Sequence, residues 1–157
     1  MTSAALLIRA YRPEDWNAIA RVHDSARMDE LRSSVGVDAF LSLAETADSE
    51  GLFDGDLWVA EQVGTVLGFI AVDDVEVTWL YVAPAHYRRG IGRALLRHAL
   101  AEAGPDMETT VLVGNQSALN LYLSEGFVIQ ETKAGKLEGN EAFAATGHIM
   151  RWRRPSG

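Results

Sequence analysis

The sequence contains no cysteine, which excludes several kinds of site at once. Without cysteine the chain can form no disulfide bond, no thiolate nucleophile and no cysteine-ligated metal centre. The four histidines lie far apart, without the spacing of metal ligands, at His23, His86, His98 and His148. We therefore expect no bound metal ion.

Long apolar runs and an excess of positive charge are also missing. No apolar stretch approaches the roughly twenty residues of a membrane-spanning helix, and the run in MTSAALLIRA is too short for a signal peptide. Fourteen basic against 22 acidic residues give a net charge of −8, which disfavours binding to nucleic-acid phosphates. We expect a cytoplasmic protein with no membrane or nucleic-acid partner. The acidic charge suits a cationic small molecule or a basic peptide terminus, although it can also serve solubility alone.

The bulk properties that remain are those of one globular domain. A chain of 157 residues, 48% hydrophobic and 23% charged, is long enough for a core. No internal repeat, low-complexity segment or linker interrupts it. We therefore predict a single domain over residues 1–157.

Hydrophobic periodicity predicts alternating strands and helices along this domain. The amino-terminal part is predicted to hold a short strand at Leu6 to Ile8, a helix near 13–27 and a second helix over 37–47. Asp29, Glu30 and Arg32 then fall in the segment between the helices and become candidates for substrate contact.

A meander of three strands is predicted next, because hairpin signals separate three strand-like runs at 57–61, 65–72 and 75–82. After a helix, further strands are predicted at 109–113, 127–132 and 148–153, with a polar loop over 134–147. The helix between strands four and five makes those strands parallel neighbours, joined by a right-handed crossover. Parallel neighbours of this kind can splay apart.

The segment Tyr87-Arg88-Arg89-Gly90-Ile91-Gly92 connects the fourth strand to the following helix. Backbone N–H groups at a helix start lack internal partners and carry the positive end of the dipole, so they can bind a phosphate. Gly90 and Gly92 allow close approach, and Arg88, Arg89 and Arg93 add positive charge. The pattern predicts an anion site, with a plain connector carrying solvated arginines as the alternative.

The segment from Val82 to Leu96 resembles the signature motif of the GNAT superfamily of N-acetyltransferases. In that family this loop holds the pyrophosphate of acetyl-coenzyme A, mainly through main-chain N–H groups. Tyr87 stands at the first motif position, where Gln or Arg is usual. This difference affects one side-chain contact and not the binding of phosphate by main-chain N–H groups. The resemblance implies that the cofactor-binding residues include Arg88, Arg89, Gly90, Ile91, Gly92 and Arg93.

The resemblance also implies a fold of the α/β (α+β) class. It is a single mixed, mostly antiparallel sheet of about seven strands, flanked by about four helices. Strands four and five are parallel and part into a V that admits the pantetheine arm of the cofactor. The main chain of Leu80, Tyr81 and Val82 is then expected to pair with the amides of that arm, and the first two helices form part of the acceptor pocket.

The run GNQSALNLYLSEGF at 114–127 resembles the later motif of the same family, through Asn115, Ala118, Tyr122 and the pair Gly126-Phe127. By that resemblance Asn115 contacts the cofactor and Tyr122 is the general acid that protonates the departing thiolate. A phenol of pKa about 10 can donate to a thiolate whose conjugate acid lies near about 8.5 at a cost of about 2 kcal/mol. From its place on the apolar face alone, Tyr122 could instead be a core aromatic.

Glu76 is the candidate general base, because it lies eleven residues before Tyr87, the spacing found in histone-type members of the family. A carboxylate of pKa about 4.3 and an ammonium of about 10.4 differ by roughly six units, so proton transfer requires burial, a depressed amine pKa or a water relay. Glu76 also follows the Asp73-Asp74 turn and could simply face solvent. Members that acetylate ribosomal protein termini carry a Glu where Thr110 stands here, which weakens that assignment.

The sequence thus predicts an enzyme that transfers the acetyl group of acetyl-CoA directly to a primary amine of a small molecule or peptide. The sequence lacks a Gly-x-Ser-x-Gly elbow as well as cysteine, so no covalent intermediate is expected. A non-catalytic acyl-CoA sensor of the same fold is the alternative. A dinucleotide-binding Rossmann protein is disfavoured by the meander and by Leu95, where a third glycine is required. Dimerisation is common in the family, so a homodimer is compatible with the resemblance.

Overall fold

The computed structural model describes residues 5–156, and its centre is one seven-stranded sheet. The strands follow the spatial order β1-β2-β3-β4-β5-β7-β6. Their bounds are β1 Leu7–Ala10, β2 Asp56–Gln62, β3 Thr65–Asp73, β4 Glu76–Val82, β5 Asp106–Leu112, β6 Val128–Lys136 and β7 Ala144–Arg153. The pairing of β4 with β5 is parallel, and all the other pairs are antiparallel.

Four α-helices flank this sheet in the described part of the chain. They are α1 Trp16–Arg32, α2 Leu43–Thr46, α3 Ile91–Glu102 and α4 Gln116–Ser124. Short 3-10 turns lie at Pro13–Asp15, Val37–Ala39 and Pro84–His86. The predicted mixed sheet with parallel fourth and fifth strands is confirmed. Within residues 5–156 no helix is both long enough and apolar enough to span a membrane.

The helix α3 covers one face of the sheet with its apolar stripe. Leu95 and Leu96 are fully buried on this stripe, and Ala99 is nearly so. Gly68 of β3 allows the close contact, because a Cβ atom there would lie 3.2 Å from Leu95 Cδ1 and 2.9 Å from the carbonyl oxygen of Tyr81. This packing fixes the amino-terminal end of α3 beside β4. Helix α1 covers the opposite face, where Ile19 packs in a second core cluster.

Strands β4 and β5 separate soon after they meet. Their parallel register in the described chain pairs Glu76 with Glu108. Just beyond, the carbonyl oxygen of Val77 accepts a hydrogen bond from the side chain of Thr109 at 3.1 Å. A register shift in the β3–β4 pairing lies at the same level, and Thr78 Oγ1 donates there to Ala71 O at 3.2 Å. The expected splay therefore exists, and it begins at a bulge in β4.

The predicted polar loop over 134–147 is wrong. Strand β6 continues to Lys136 and β7 begins at Ala144, so only residues 137–143 connect them. Every residue of β6 is exposed, so this edge strand has no buried face to impose the apolar alternation on which strand prediction depends.

The two predicted helices near the amino terminus are also corrected. The first runs to Arg32, so Asp29 and Glu30 belong to α1 and not to an intervening segment. The second is divided into the turn Val37–Ala39 and the short helix Leu43–Thr46. Tertiary contacts extend α1, since Leu31 in its last turn is fully buried against Leu137 from the β6–β7 connection.

Candidate functional site

Two cavities meet where β4 and β5 part. The loop-side cavity, about 810 Å³, lies against the α3 loop, the splayed strands and α4. The α1-side cavity, about 610 Å³, lies between α1, the first half of β4 and the β6–β7 hairpin. Both are lined by Glu30, Thr78, Trp79, Tyr81 and Thr110. All the sequence-predicted catalytic and cofactor-binding residues except Arg89 line one or both of these cavities.

The start of α3 opens onto the loop-side cavity. Gly90 is the N-cap residue in a left-handed conformation, with φ of 79°, and nothing lies within 4 Å of the position that a Cβ would occupy. The N–H groups of the first turn, beginning with Ile91 and Gly92, have no intrahelical acceptors. They line a space open to an anion, as the glycine pattern predicted.

The three arginines near this turn have different surroundings. Arg88 lines the cavity and adopts a left-handed φ of 65°, which is strained for a residue with a side chain. Arg93 also lines the cavity, but it donates to Ser124 Oγ at 2.9 Å and forms an ion pair with Glu125 at 3.3 Å. Arg89 is exposed and is not among the lining residues. The expected convergence of three guanidinium groups is therefore reduced to two.

The backbone of β4 presents unused groups to the opening between the strands. Ala83 N donates to Leu67 O on β3 at 2.8 Å. Because N–H directions alternate along a strand, Leu80 and Val82 point their N–H groups away from β3 and toward the gap. These two positions, with Tyr81 between them, line the loop-side cavity.

Tyr122 of α4 lies at the bottom of the gap. Its side chain is 5% exposed and packs edge-on against Phe127, with ring centroids 5.0 Å apart. Burial raises the pKa of Tyr122 to about 12, a hydrogen bond with Thr109 acts in the opposite direction, and the charge of Glu30 adds to the rise. The residue is both a core aromatic and a neutral phenol that faces the cavity.

Glu76 lies in the α1-side cavity and not in the one that holds Tyr122. Partial burial raises its pKa, and the nearby carboxylates of Glu138, Glu108 and Asp73 raise it further. Both effects make this carboxylate a better proton acceptor than an exposed glutamate. Glu76 is partly buried in the wall of this cavity and not fully exposed.

Glu30 connects three elements at the junction of the cavities. Its Oε1 accepts from the Tyr81 hydroxyl at 2.8 Å and from Arg27 Nη1 at 2.5 Å. Its Oε2 accepts from Asn115 Nδ2 at 3.2 Å. Asn115 is also the N-cap of α4, because its Oδ1 accepts from Ala118 N at 3.4 Å. One carboxylate thus joins α1, β4 and the start of α4.

Sequence reasoning missed the polar face of α1. His23 and Arg27 line the α1-side cavity together with Glu30. Their spacing of four and three residues is that of one helical face. The helix predicted near 13–27 contained His23 and Arg27 but ended before Glu30. Tyr87, the departure from the motif, is also explained, because its hydroxyl donates to Asp29 Oδ2 of α1 at 3.2 Å.

The described residues contain no group of three or more histidine, aspartate or glutamate side chains placed to hold a metal ion. A long anionic molecule could run from the start of α3 to Tyr122, and a cationic one could approach past Glu76.

Comparison with known proteins agrees with this geometry. Residues 53–129 match the acetyltransferase (GNAT) domain family. A curated relative, the peptidyl-lysine N-acetyltransferase YiaC of Escherichia coli (strain K12), is 37% identical over 73 residues, which are 46% of this chain and 49% of the relative. The match thus spans about half the length of that relative.

Solved structures share the whole fold at lower identity. The GCN5-related N-acetyltransferase from Rhodopseudomonas palustris superposes with a TM-score of 0.80 at 17% identity, over 98% of this chain and 99% of that one. The yncA protein of Salmonella typhimurium, solved with its cofactor acetyl-CoA, has a TM-score of 0.71 at 21% identity, over 98% and 96%. Residues 53–129, which include the loop at Gly90 and the gap beside β4, therefore belong to the acetyltransferase (GNAT) domain family, and the chain as a whole shares the fold of these N-acetyltransferases.

Proposed function

We propose that this chain transfers the acetyl group of acetyl-CoA directly to a primary amine of a small molecule or peptide. The observation that carries the proposal is the meeting of the two cavities between β4 and β5. One leads from the α3 N-terminus to Tyr122, and the other leads past Glu76 to the same junction. Two substrates that enter from opposite sides can therefore react there without a covalent enzyme intermediate.

The loop-side cavity is proposed to hold the cofactor. The diphosphate would be bound by the N–H groups of the turn Gly90-Ile91-Gly92, with positive charge from Arg88 and Arg93, which line the cavity. The pantetheine amides would pair with the main chain of Leu80, Tyr81 and Val82, which borders the gap. Asn115 lines the same cavity beside them. The yncA protein, which shares this fold, was solved with acetyl-CoA, and this supports acetyl-CoA as the cofactor to test.

The α1-side cavity is proposed to hold the acceptor. Its lining carries more acidic than basic side chains, including Glu50, Glu76 and Glu138, and so favours a cation. Because YiaC is named as a peptidyl-lysine N-acetyltransferase, the lysine side chain of a peptide is the first acceptor to test. Free amino acids, polyamines and peptide amino termini are the comparison set.

The proposed reaction begins with attack of the amine nitrogen on the thioester carbonyl carbon. An N–H group of β4, such as that of Val82, polarises the carbonyl, and the C–S bond breaks as the tetrahedral intermediate collapses. Tyr122 gives its proton to the departing sulfur. Glu76 holds the acceptor ammonium by its charge and provides a carboxylate to which an amine proton can pass through water.

Thiol release measured with a panel of amines tests the proposal. We expect acetyl-CoA to raise the melting temperature, NAD to leave it unchanged, and at least one amine to give stoichiometric release of free CoA and an acetylated product. Stabilisation by acetyl-CoA without release from any amine would favour the non-catalytic sensor. Absence of both binding and release would contradict the assignment of the loop-side cavity.

A further inference from the structure

His23 is a buried histidine that the proposed reaction has not yet used. It lies on α1, is 3% exposed and lines the α1-side cavity. Its Nδ1 lies 2.9 Å from Asp24 Oδ1. Because a carboxylate only accepts hydrogen bonds, Nδ1 carries the hydrogen in this pair. Nε2 of the neutral ring is then a bare acceptor.

The second nitrogen of the ring is free to act. Nε2 of His23 makes no hydrogen bond with any residue of the described chain 5–156. Nε2 is also accessible to solvent. If it were both buried and without a hydrogen-bond partner it would resemble His86 Nδ1, which is the side-chain atom in residues 5–156 with those two properties. The ring packs edge-on against Tyr81, with centroids 4.9 Å apart, and Tyr81 lines both cavities. His23 therefore stands beside the place where the substrates meet.

The surroundings of His23 keep its ring neutral. Burial lowers its pKa, while the charges of Asp24 and Glu30 oppose the change and that of Arg27 adds to it. The charged groups around His23, which are Asp24, Arg27 and Glu30, all belong to α1, and the β4 residue packed against the ring is Tyr81. A neutral imidazole of ordinary pKa about 6.5 lies about four units from an alkylammonium at about 10.4, whereas a carboxylate lies about six units away. Burial lowers the pKa of His23 and raises that of Glu76, which brings the two acceptors closer in strength, so it is the position of Nε2 beside the junction of the cavities that favours His23.

We infer that His23, oriented by Asp24, is the catalytic base that removes a proton from the acceptor amine. The inference rests on the proposed function. An ammonium proton passes to Nε2, and the freed nitrogen lone pair attacks the carbonyl carbon. Asp24 stabilises the imidazolium, which then releases its proton through the cavity to solvent. After the attack the nitrogen loses a second proton as the amide forms. That proton replaces the one that Tyr122 gives to the departing sulfur. In this inference His23 replaces Glu76 as the proton acceptor, and Glu76 keeps only the role of attracting the ammonium by its charge.

The test uses His23→Gln and His23→Asn, assayed with an amine that the wild-type protein acetylates. The matched control is His98→Gln, since His98 packs on Trp58, 5.0 Å between centroids, and lines neither cavity. We expect the His23 variants to bind acetyl-CoA normally, to lose about 10²-fold to 10⁴-fold in kcat, and to lose the acidic limb of the pH profile. The His98 variant should keep all three properties.

Two further variants separate chemistry from packing. Asp24→Asn keeps an oxygen for the Leu43 N–H, which Asp24 Oδ1 accepts at 2.9 Å, but removes the charge, so the acidic limb should move to lower pH. In His23→Ala, added imidazoles should restore turnover, with a rate that depends on the pKa of the imidazole.

The inference is wrong if the folded His23 variants keep kcat within about twofold of the parent, or if the acidic limb disappears in Glu76→Gln and persists in them. If no His23 variant folds, the inference is contradicted by an Asp24→Asn variant whose pH profile has its acidic limb at the same pH as that of the parent. A wild-type protein that binds acetyl-CoA and acetylates no amine would overturn the proposed function, and this inference with it.

Discussion

The hydroxyl of Tyr81 donates a hydrogen bond to Glu30 across the junction of the two cavities, at 2.8 Å. The bond ties α1 to β4 at the level where the proposed cofactor and acceptor meet. Arg27 neutralises the same carboxylate. The position of α1, and with it that of His23, therefore depends on this polar contact as well as on apolar packing.

The first prediction concerns Tyr122. In Tyr122→Phe we expect kcat for thiol release to fall by about 10²-fold or more, with nearly unchanged acetyl-CoA affinity by calorimetry. The ring packing against Phe127 is kept, so stability should change little. Because burial raises the pKa of Tyr122 to about 12, its proton remains available, and wild-type kcat should not fall between about pH 8 and pH 10. Equal turnover of variant and parent would remove Tyr122 from the mechanism.

The second prediction concerns the turn at Gly90. Gly90→Ala places a methyl group in open space, but at φ of 79°, so it should cost about 1 kcal/mol of stability and little affinity. Gly90→Glu adds a negative charge where the diphosphate is proposed to bind. Calorimetry with acetyl-CoA should show it binding about tenfold or more weakly than the alanine variant. Equal affinity of the two variants would argue against a phosphate at this turn.

The third prediction concerns the packing of α1 beside Asn115. Gly114 has a φ of 105°, and a Cβ there would lie only 2.0 Å from the carbonyl oxygen of Ser33. Gly114→Ala should therefore lower the free energy of unfolding by at least about 2 kcal/mol, measured by urea denaturation. Gly104→Ala is the control, because nothing lies within 4 Å of its Cβ position. A Gly114 variant as stable as the control would contradict this close contact.

The fourth prediction concerns the buried ion pair at the start of α1. Arg9 bonds both carboxylate oxygens of Asp15, at 2.8 and 2.9 Å, and holds the pKa of that carboxyl below its usual range despite burial. Because the pKa is lower in the folded state, the ionised carboxyl stabilises the folded protein at pH values above the unfolded-state pKa of about 3.9. This stabilisation is lost as the pH falls through the folded-state pKa. Asp15→Asn should cost about 1–3 kcal/mol near pH 7, with little difference from the parent at acid pH.

The control for this variant is Glu14→Gln, at an exposed neighbouring position. Melting temperatures of both variants and the parent, recorded from neutral to acid pH, give the comparison. An Asp15 variant whose deficit is the same at all pH values would show that the lost contact is not ionic.

The prediction from sequence succeeded where local chemistry decides the structure. Gly90 lies at a positive φ that few other residues adopt, and the stripe at Leu95 and Leu96 repeats with the helical period. Both signals need only neighbouring residues.

Prediction failed where distant contacts decide. The first half of β6 was predicted as the strand at 127–132, but its second half, up to Lys136, was predicted as a loop. That half pairs with β7 although all residues of β6 are exposed, so no buried face indicates a strand there. The last turn of α1 contains Leu31, which is buried by a segment more than a hundred residues further along the chain, at Leu137. Neither partner is visible in the local pattern.

The sequence by itself determined the strand, the glycine turn and the helix that identify the family, because turn geometry and helical period are properties of adjacent residues. Only the tertiary structure decided which polar groups share the reaction space. Tyr81 and Glu30 are 51 positions apart, and His23 reaches the α1-side cavity only because α1 packs across β4. Contacts between such distant residues arise from the burial of whole helix and sheet faces, which no short motif encodes.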